Sequence, residues 1–286
     1  NKELIMVFEN NLGEASGMSY LKKKMKVGLY LQATILLRFL RLLLRSVQKR
    51  STKSVACGIE NSKNWLVGIP VRWSPHRLGY AVNEHETNLL VPDNLRGFDI
   101  YSLGVKSRGL GLVKSYGLHE VHLDNDDCII DCGANFGDLA LGLSERVDIN
   151  YISVEPSPKE HECLKYNYPN GTHIKAALSD RDGTADFFLN SELADSSLIK
   201  HRAVTGKITV RTITLDTLSD QLGIKRCKVL KLEAEGSEPE ILSGGANFIN
   251  ACEYVAVDAG AERGVEKKVT LPAVVSYLCT RGFNMV

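Results

Sequence analysis

The stretch "CIIDCGANFGDLAL" (residues 128–141) is a short apolar run, then a tight turn carrying Gly133 and Gly137, then residues at helical spacing. Such glycines let the backbone pass close to a ligand, and the succeeding helix offers free N–H groups. A dinucleotide-binding turn would read G-x-G-x-x-G. Here the third place holds Asn135, and no third glycine supports close helix packing. Taken alone, the turn is equally what a plain strand-to-helix bend looks like.

Its surroundings decide the fold. Strand and helix signals alternate from Cys128 onward: strands in "CIIDCG", "NYISVEP", "HIKAALS", "TADFFL", "KVLKLEAEG" and "CEYVAVDAG", and helices in "DLALGLSERV", "SPKEHECLKYNY", "SEPEILSGGANFI" and "LPAVVSYLCTRG", the last stopped by Gly282. The alternation predicts an α/β fold, a mostly parallel sheet with helices on both faces, and ligands at the carboxyl ends of its strands. Three strand ends then define a site. The first is the turn itself. The second is Glu155, which closes "YISVEP" 18 residues beyond Gly137; an acid there can accept both hydrogen bonds of a ribose diol. The third is "KLEAEG", where Lys231, Glu233 and Glu235 alternate and are expected on one strand face. Two carboxylates and a lysine are costly in a dry core unless paired, and the apolar Val229, Leu230 and Leu232 around them favour a site over a solvent-facing edge.

Composition bounds the rest. The chain has 286 residues, 44% hydrophobic and 24% charged, with a net charge of +1, which suits a globular protein of one sizeable domain plus an extension. The balance is uneven. Residues 17–59 hold ten Lys and Arg and no acid, leaving 25 basic against 34 acidic residues elsewhere. Within that segment "KKKMKVGLYLQATILLRFLRLLLRSVQKR" has an uncharged run of 11 residues, short of the roughly 20 that span a bilayer. A basic apolar helix is expected, packed on the alternating half or another subunit, or lying on an anionic membrane through residues 20–50; a basic arm for nucleic acid is the third reading, disfavoured by the many leucines. The arginines after the apolar run and the lack of a small-x-small site argue against a signal peptide.

Residues 61–125 are expected to form a lead-in folded against the alternating half, with strands in "NWLVGIPVRW" and "EVHLDNDD" and a turn in "PDNLRGFD". The domain organisation expected is thus residues 1–60, 61–125 and 126–286. The seven cysteines include no C-x-x-C pair, which points to a reducing, cytoplasmic compartment with neither a disulfide framework nor a zinc site. No cluster with metal-ligand spacing occurs, and no catalytic metal is expected. The first residue is Asn and the chain stops at "RGFNMV", a strand just begun, so a fragment is expected at one or both ends.

At these residues the chain resembles a family. D-x-G-A-N-x-G (residues 131–137), Glu155-Pro156, "AALSDRDG", "TLDTL" and "KLEAEGSEPEILSGG", in that order over residues 97–257, look like the FkbM-type methyltransferases. "GFDIYSLGVKSRGLGLVKSY" resembles the family's lead-in. Two departures are Glu233, where the family's strand usually carries Asp, and Asp258, where the next strand often ends in Glu.

The resemblance implies a Rossmann-like class I methyltransferase sheet that uses S-adenosyl-L-methionine. Carried over, Asp131, Gly133, Ala134, Asn135 and Gly137 form the loop around the methionine part, Glu155 takes the ribose hydroxyls and Ala177 borders the adenine. The implied reaction is O-methylation of a saccharide, glycolipid or other small metabolite. Glu233, Glu235 and Asp258 are the candidate bases or acceptor anchors, and His201 is a weaker one. Nucleic acid is a poor acceptor: the fourth strand ends in "EAEG" rather than an N/D-P-P-Y/F motif, and no cysteine stands beside a proline. Two rival classes stay open at this point, a nicotinamide-dependent oxidoreductase on the same sheet and a non-catalytic module.

Overall fold

A computed structural model describes residues 2–7, 47–48, 50–92, 96–190, 196–200 and 204–286. The chain opens with β1 (Lys2–Val7) and continues through α1 (Lys53–Val67), an antiparallel ribbon of β2 (Val71–His76), β3 (Gly79–Glu84) and β4 (Thr87–Pro92), then α2 (Arg96–Ile100) and α3 (Val105–Ser115). The alternating half comes next: β5 (Cys128–Cys132), α4 (Asp138–Ser144), β6 (Asn150–Val154), α5 (Pro158–Asn167) and β7 (Thr172–Ile174). A second small sheet holds β8 (Ala177–Leu178), β9 (Gly183–Leu189) and β10 (Gly206–Ile213). The chain closes with α6 (Leu215–Leu222), β11 (Cys227–Leu232), α7 (Glu238–Gly244), β12 (Cys252–Asp258), α8 (Leu271–Cys279) and β13 (Phe283–Met285).

The main sheet runs β13-β1-β12-β11-β5-β6-β7 with every neighbouring pair parallel. A parallel sheet has to be covered on both faces, and its strands accordingly read as continuous apolar runs. Successive side chains point to opposite faces. Leu4, Ile130, Ile152 and Leu230 pack with Leu215 and Leu218 of α6, Ile241 and Leu242 of α7, and Val274 and Leu278 of α8. Their neighbours Ile5, Ile129, Tyr151 and Val229 pack with Val113 of α3, Leu139 and Leu143 of α4, and Leu164 of α5. A third core joins Trp73, Tyr80, Phe98 and Tyr101 of the lead-in to Phe136 and Cys163. Trp73 and Phe98 meet edge to face, their ring centroids 4.5 Å apart.

Several expectations are corrected. "NWLVGIPVRW" is not one strand: its first four residues end α1 and only Val71 onward is extended. Thr52 caps the helix start, Gly68 ends it in the left-handed region (φ 73°), and Ala56, Glu60 and Asn64 are buried at helical spacing. Trp65, Leu66 and Val67, which suggested a strand, are exposed. "EVHLDNDD" is irregular, with the carbonyls of Leu118 and Val121 satisfied by the Arg146 guanidinium at 2.7 and 3.0 Å. "PDNLRGFD" contains α2 rather than only a turn. "HIKAALS" divides between two sheets as β7 and β8.

Residues 2–7, at the start of the 1–60 segment and ahead of the expected basic helix, form β1, paired with β12 and β13. The expected basic helix, apart from residues 47, 48 and 50, lies outside the described residues, as does His201. Among the described residues no helix is long and apolar enough to cross a membrane.

Candidate functional site

Strand order reverses between β5 and β11: β6 and β7 lie on one side of β5, β11 and β12 on the other. Loops leaving two such strands diverge to opposite faces and open a crevice at their carboxyl ends. The loop after β5 is shaped by three left-handed residues, Gly133 (φ 73°), Asn135 (φ 51°) and Gly137 (φ 94°). Glycine is required at the first: a Cβ on Gly133 would lie 2.0 Å from the Glu233 carbonyl oxygen. Asn135 is one of the few non-glycine types that visit this region readily. The loop is pinned by the Gly133 N–H to the Val154 carbonyl (3.0 Å) and the Gly137 N–H to the Ala134 carbonyl (3.0 Å).

One ammonium ties this loop to the next strand. Lys231 Nζ sits 3.0 Å from both Asp131 Oδ1 and Glu233 Oε2, and donates to the carbonyls of Cys132 (3.2 Å) and Gly133 (3.0 Å). The Lys231 and Asp131 side chains are 3% and 1% exposed. Burial alone would pull the lysine pKa down; the carboxylates of Asp131 and Glu233 outweigh it and hold it above its ordinary value. Tyr151 OH donates to Asp131 Oδ2 and Tyr116 OH to Glu233 Oε2, the latter at 2.7 Å. Burial also works against the Glu233 charge, yet Lys231 and the Tyr116 hydroxyl hold its carboxyl below the usual range.

Glu155 is buried, and each carboxylate oxygen accepts a backbone N–H: Oε2 from Asn135 (2.9 Å) and Oε1 from Ser157 (2.8 Å). Burial, aided by the nearby Glu160 carboxylate, nevertheless pushes its pKa up to about 7. The cleft bounded by these groups encloses about 1050 Å³ of space, part of it open to solvent.

The expected site residues largely converge. Asp131, Gly133, Ala134, Asn135, Glu155, Ala177, Glu233 and Glu235 all line this one cleft, with Gly137 closing its loop as the residue preceding α4. Two expectations are revised. β11 ends at Leu232; Glu233, just past it, still donates its N–H to the Cys132 carbonyl of β5 (3.2 Å), whereas Glu235 stands in the turn that follows, with φ 50°, and does not share a strand face with Lys231. The buried Glu238 forces that turn by accepting the Ala234 and Gly236 N–H groups at 3.0 and 3.1 Å. Asp258 ends β12, one strand further out, and is not among the cleft-lining residues.

Other motifs of the resemblance are structural: Asp182 fixes Thr214 and Thr217 at the start of α6, and Asp216 accepts the N–H groups of Asn247 and Phe248. Sequence reasoning missed Arg108, Leu112 and Tyr116, one stripe of α3 facing the cleft, and Glu160 on α5. The i, i+4, i+8 spacing of the first three was the available signal. Arg108 Nε donates to Asp138 Oδ2 at 3.3 Å, and Tyr101 OH to Asp138 Oδ1.

Among known proteins, the methyltransferase FkbM domain model matches residues 131–285. Hexuronic acid methyltransferase AglP of Haloferax volcanii is 30% identical over 150 residues, 51% of this chain and 60% of that protein. 2-O-methyltransferase NoeI of Sinorhizobium fredii is 22% identical over 173 residues, 54% of this chain and 71% of that protein. The match to the first of these thus spans less than two thirds of its length. The family match covers the cleft's β5 loop, Glu155 and the β11 turn in one continuous span, and the chain belongs to the FkbM methyltransferase domain family.

Proposed function

We propose that this chain transfers a methyl group from S-adenosylmethionine to a hydroxyl oxygen of a saccharide. The observation that carries this reading is the charge of the cleft. Six carboxylates line it (Asp131, Asp138, Glu155, Glu160, Glu233 and Glu235) against two cations, Arg108 and Lys231, a formal −4. A concave site of one sign concentrates ligands of the other. S-Adenosylmethionine carries a sulfonium and an ammonium against a single carboxylate and is net positive, whereas a nicotinamide dinucleotide carries an anionic pyrophosphate and is net negative. Protonating Glu155 removes one charge and leaves the balance negative.

The residues present fit such a donor. Asn135 Oδ1 and Ser237 Oγ, on two cleft-lining residues, are buried without a hydrogen-bond partner among the described residues, as expected of groups that serve a ligand. Asp131, Gly133, Ala134, Asn135 and Gly137 would hold the amino-acid end and Glu155 the ribose hydroxyls. Ala177, with Ala176, Leu178 and Phe187 on the cleft wall, would border the adenine. Once bound, the donor supplies an activated methyl group; positioning the acceptor and taking its proton fall to the chain.

Glu235 is assigned the proton-accepting role, for which a placed base contributes roughly 10²–10⁴-fold. Glu233 is already held ionised by Lys231 and Tyr116 and is assigned to orient the acceptor. Asp258 lies outside the cleft but acts electrostatically on Tyr116, so its role is indirect. The name of the first relative gives a sugar acid as substrate and that of the second gives transfer to an oxygen, and together they support a saccharide oxygen as acceptor. Incubation with S-adenosylmethionine bearing a labelled methyl group and a panel of neutral and acidic sugars is expected to yield labelled methyl ethers. Label on nitrogen, or none across the panel despite bound donor, would contradict the proposal.

A further inference from the structure

Both cations of this acidic cleft need a reason to be there, because each works against binding a sulfonium. Lys231 has one: its ammonium is taken up by four protein oxygens, two carboxylate and two carbonyl. Arg108 does not. A single hydrogen bond is made by its side chain among the described residues, from Nε to Asp138 Oδ2 at 3.3 Å. Its two terminal amino groups have no protein partner there, its side chain is 33% exposed, and it lines the cleft.

Its placement is fixed by the packing of α3 on α4. The helices cross at two glycines. A Cβ on Gly109 would lie 2.9 Å from the Gly142 Cα, and one on Gly142 only 2.3 Å from the Gly109 carbonyl oxygen. No larger residue permits that approach, and it brings the residue preceding Gly109 against Asp138 at the end of the β5 loop. Tyr101 OH holds Asp138 from the other side, so the guanidinium is anchored by one edge with its fork left over. A planar fork with two parallel donors is matched by a carboxylate.

We propose that Arg108 is the carboxylate-binding residue of the cleft. The proposal rests on the methyl-donor reading, which offers two sources of that group: the amino-acid tail of the donor or the carboxylate of an acidic sugar acceptor. Arg108 stands beside the loop assigned to the donor's amino-acid end, and it lies outside the span matched by the family model.

Calorimetry on the full chain separates the sources. S-Adenosylhomocysteine carries the tail and 5′-methylthioadenosine lacks it. In Arg108→Met, S-adenosylhomocysteine is expected to bind roughly 10- to 100-fold more weakly, the loss typical of a hydrogen-bonded charge pair, with methylthioadenosine unchanged; Arg108→Lys is expected to fall between. Unchanged binding of both, with loss of the wild-type KM preference for a hexuronic acid over the matching neutral hexose, assigns the same fork to the acceptor. Parallel loss of both nucleosides overturns the proposal, because Arg108 then only shapes the cleft through Asp138. So does no change in either arm. A wild-type chain that binds no S-adenosylhomocysteine overturns the methyl-donor reading itself and this proposal with it.

Discussion

Replacing Lys231 by Met tests whether one buried ammonium holds the two halves of the cleft together. Met keeps most of the apolar stem and removes the charge. Left behind are Asp131, with its side chain 1% exposed, and Glu233, 39% exposed, the first with only the Tyr151 hydroxyl as compensation among the described residues. Breaking a buried pair by removing one partner costs about 3–5 kcal/mol, because the other charge is left without compensation. Glu233 is partly in solvent and its share is discounted. With a urea m-value of about 3 kcal/mol/M, that loss lowers the unfolding midpoint by about 1–2 M.

A control of the same chemistry is Lys207→Met. Lys207 Nζ lies 2.8 Å from Asp186, a shorter distance than in the buried pair, but both side chains are more than half exposed. Its loss is expected to stay below about 1 kcal/mol. The pH dependence carries a sign. The depressed Glu233 pKa contributes stability that is present above the unfolded value of about 4.3 and is lost as pH falls through the folded value. In Lys231→Met the main force depressing it is gone, so wild type and variant differ most near pH 7 and converge as the pH falls below the unfolded value of about 4.3 and through the folded one. A Lys231→Met loss no larger than that of Lys207→Met at pH 7, or a difference independent of pH, would refute the reasoning.

Three further outcomes are expected. Gly133→Ala combines a left-handed φ of 73° with a Cβ 2.0 Å from the Glu233 carbonyl oxygen; strain and overpacking together predict a loss of about 2–5 kcal/mol by urea unfolding, against little change for Gly111→Ala, whose Cβ would meet nothing within 4 Å. The Glu155 carboxyl is raised to about 7, so its contribution to stability is present below the unfolded value of about 4.3 and is lost as pH rises through 7. Because ribose hydroxyls bind the ionised form, donor binding near pH 7 is expected to release a proton, read from calorimetry in buffers of different ionisation enthalpy, and the release should vanish in Glu155→Gln. Glu235→Gln is expected to lower kcat by roughly 10²–10⁴-fold at nearly unchanged donor affinity; an unchanged kcat removes it as the base.

Where the signal was local, the sequence was readable. The alternation after Cys128 predicted the parallel sheet, and Gly133, Asn135 and Gly137 marked a loop whose backbone is left-handed at all three. Long-range pairing was not readable. β1 finds its partners more than two hundred residues away, around Tyr254 and Phe283, and a few apolar residues ahead of a basic segment do not announce that. The alternation of "KLEAEG" puts Glu235 on a strand face, but the turn is imposed from outside by the Glu238 carboxylate. Trp65, Leu66 and Val67 read as strand because three consecutive apolar residues fit one, while burial on α1 falls on Ala56, Glu60 and Asn64 instead. Arg108 lies within the "GFDIYSLGVKSRGLGLVKSY" lead-in, but that resemblance assigns it no role; its placement arises from the Gly109–Gly142 crossing, which only the packed helices reveal.

Titration of the full chain with S-adenosylhomocysteine and, separately, with NAD addresses the nature of the cleft most directly. With formally −4 on its lining residues, the cleft is expected to bind S-adenosylhomocysteine saturably at one site and S-adenosylmethionine, with its added positive charge, at the same site, with no measurable heat from NAD. Saturable NAD binding without binding of either adenosyl compound would contradict the assignment of a methyl-donor site.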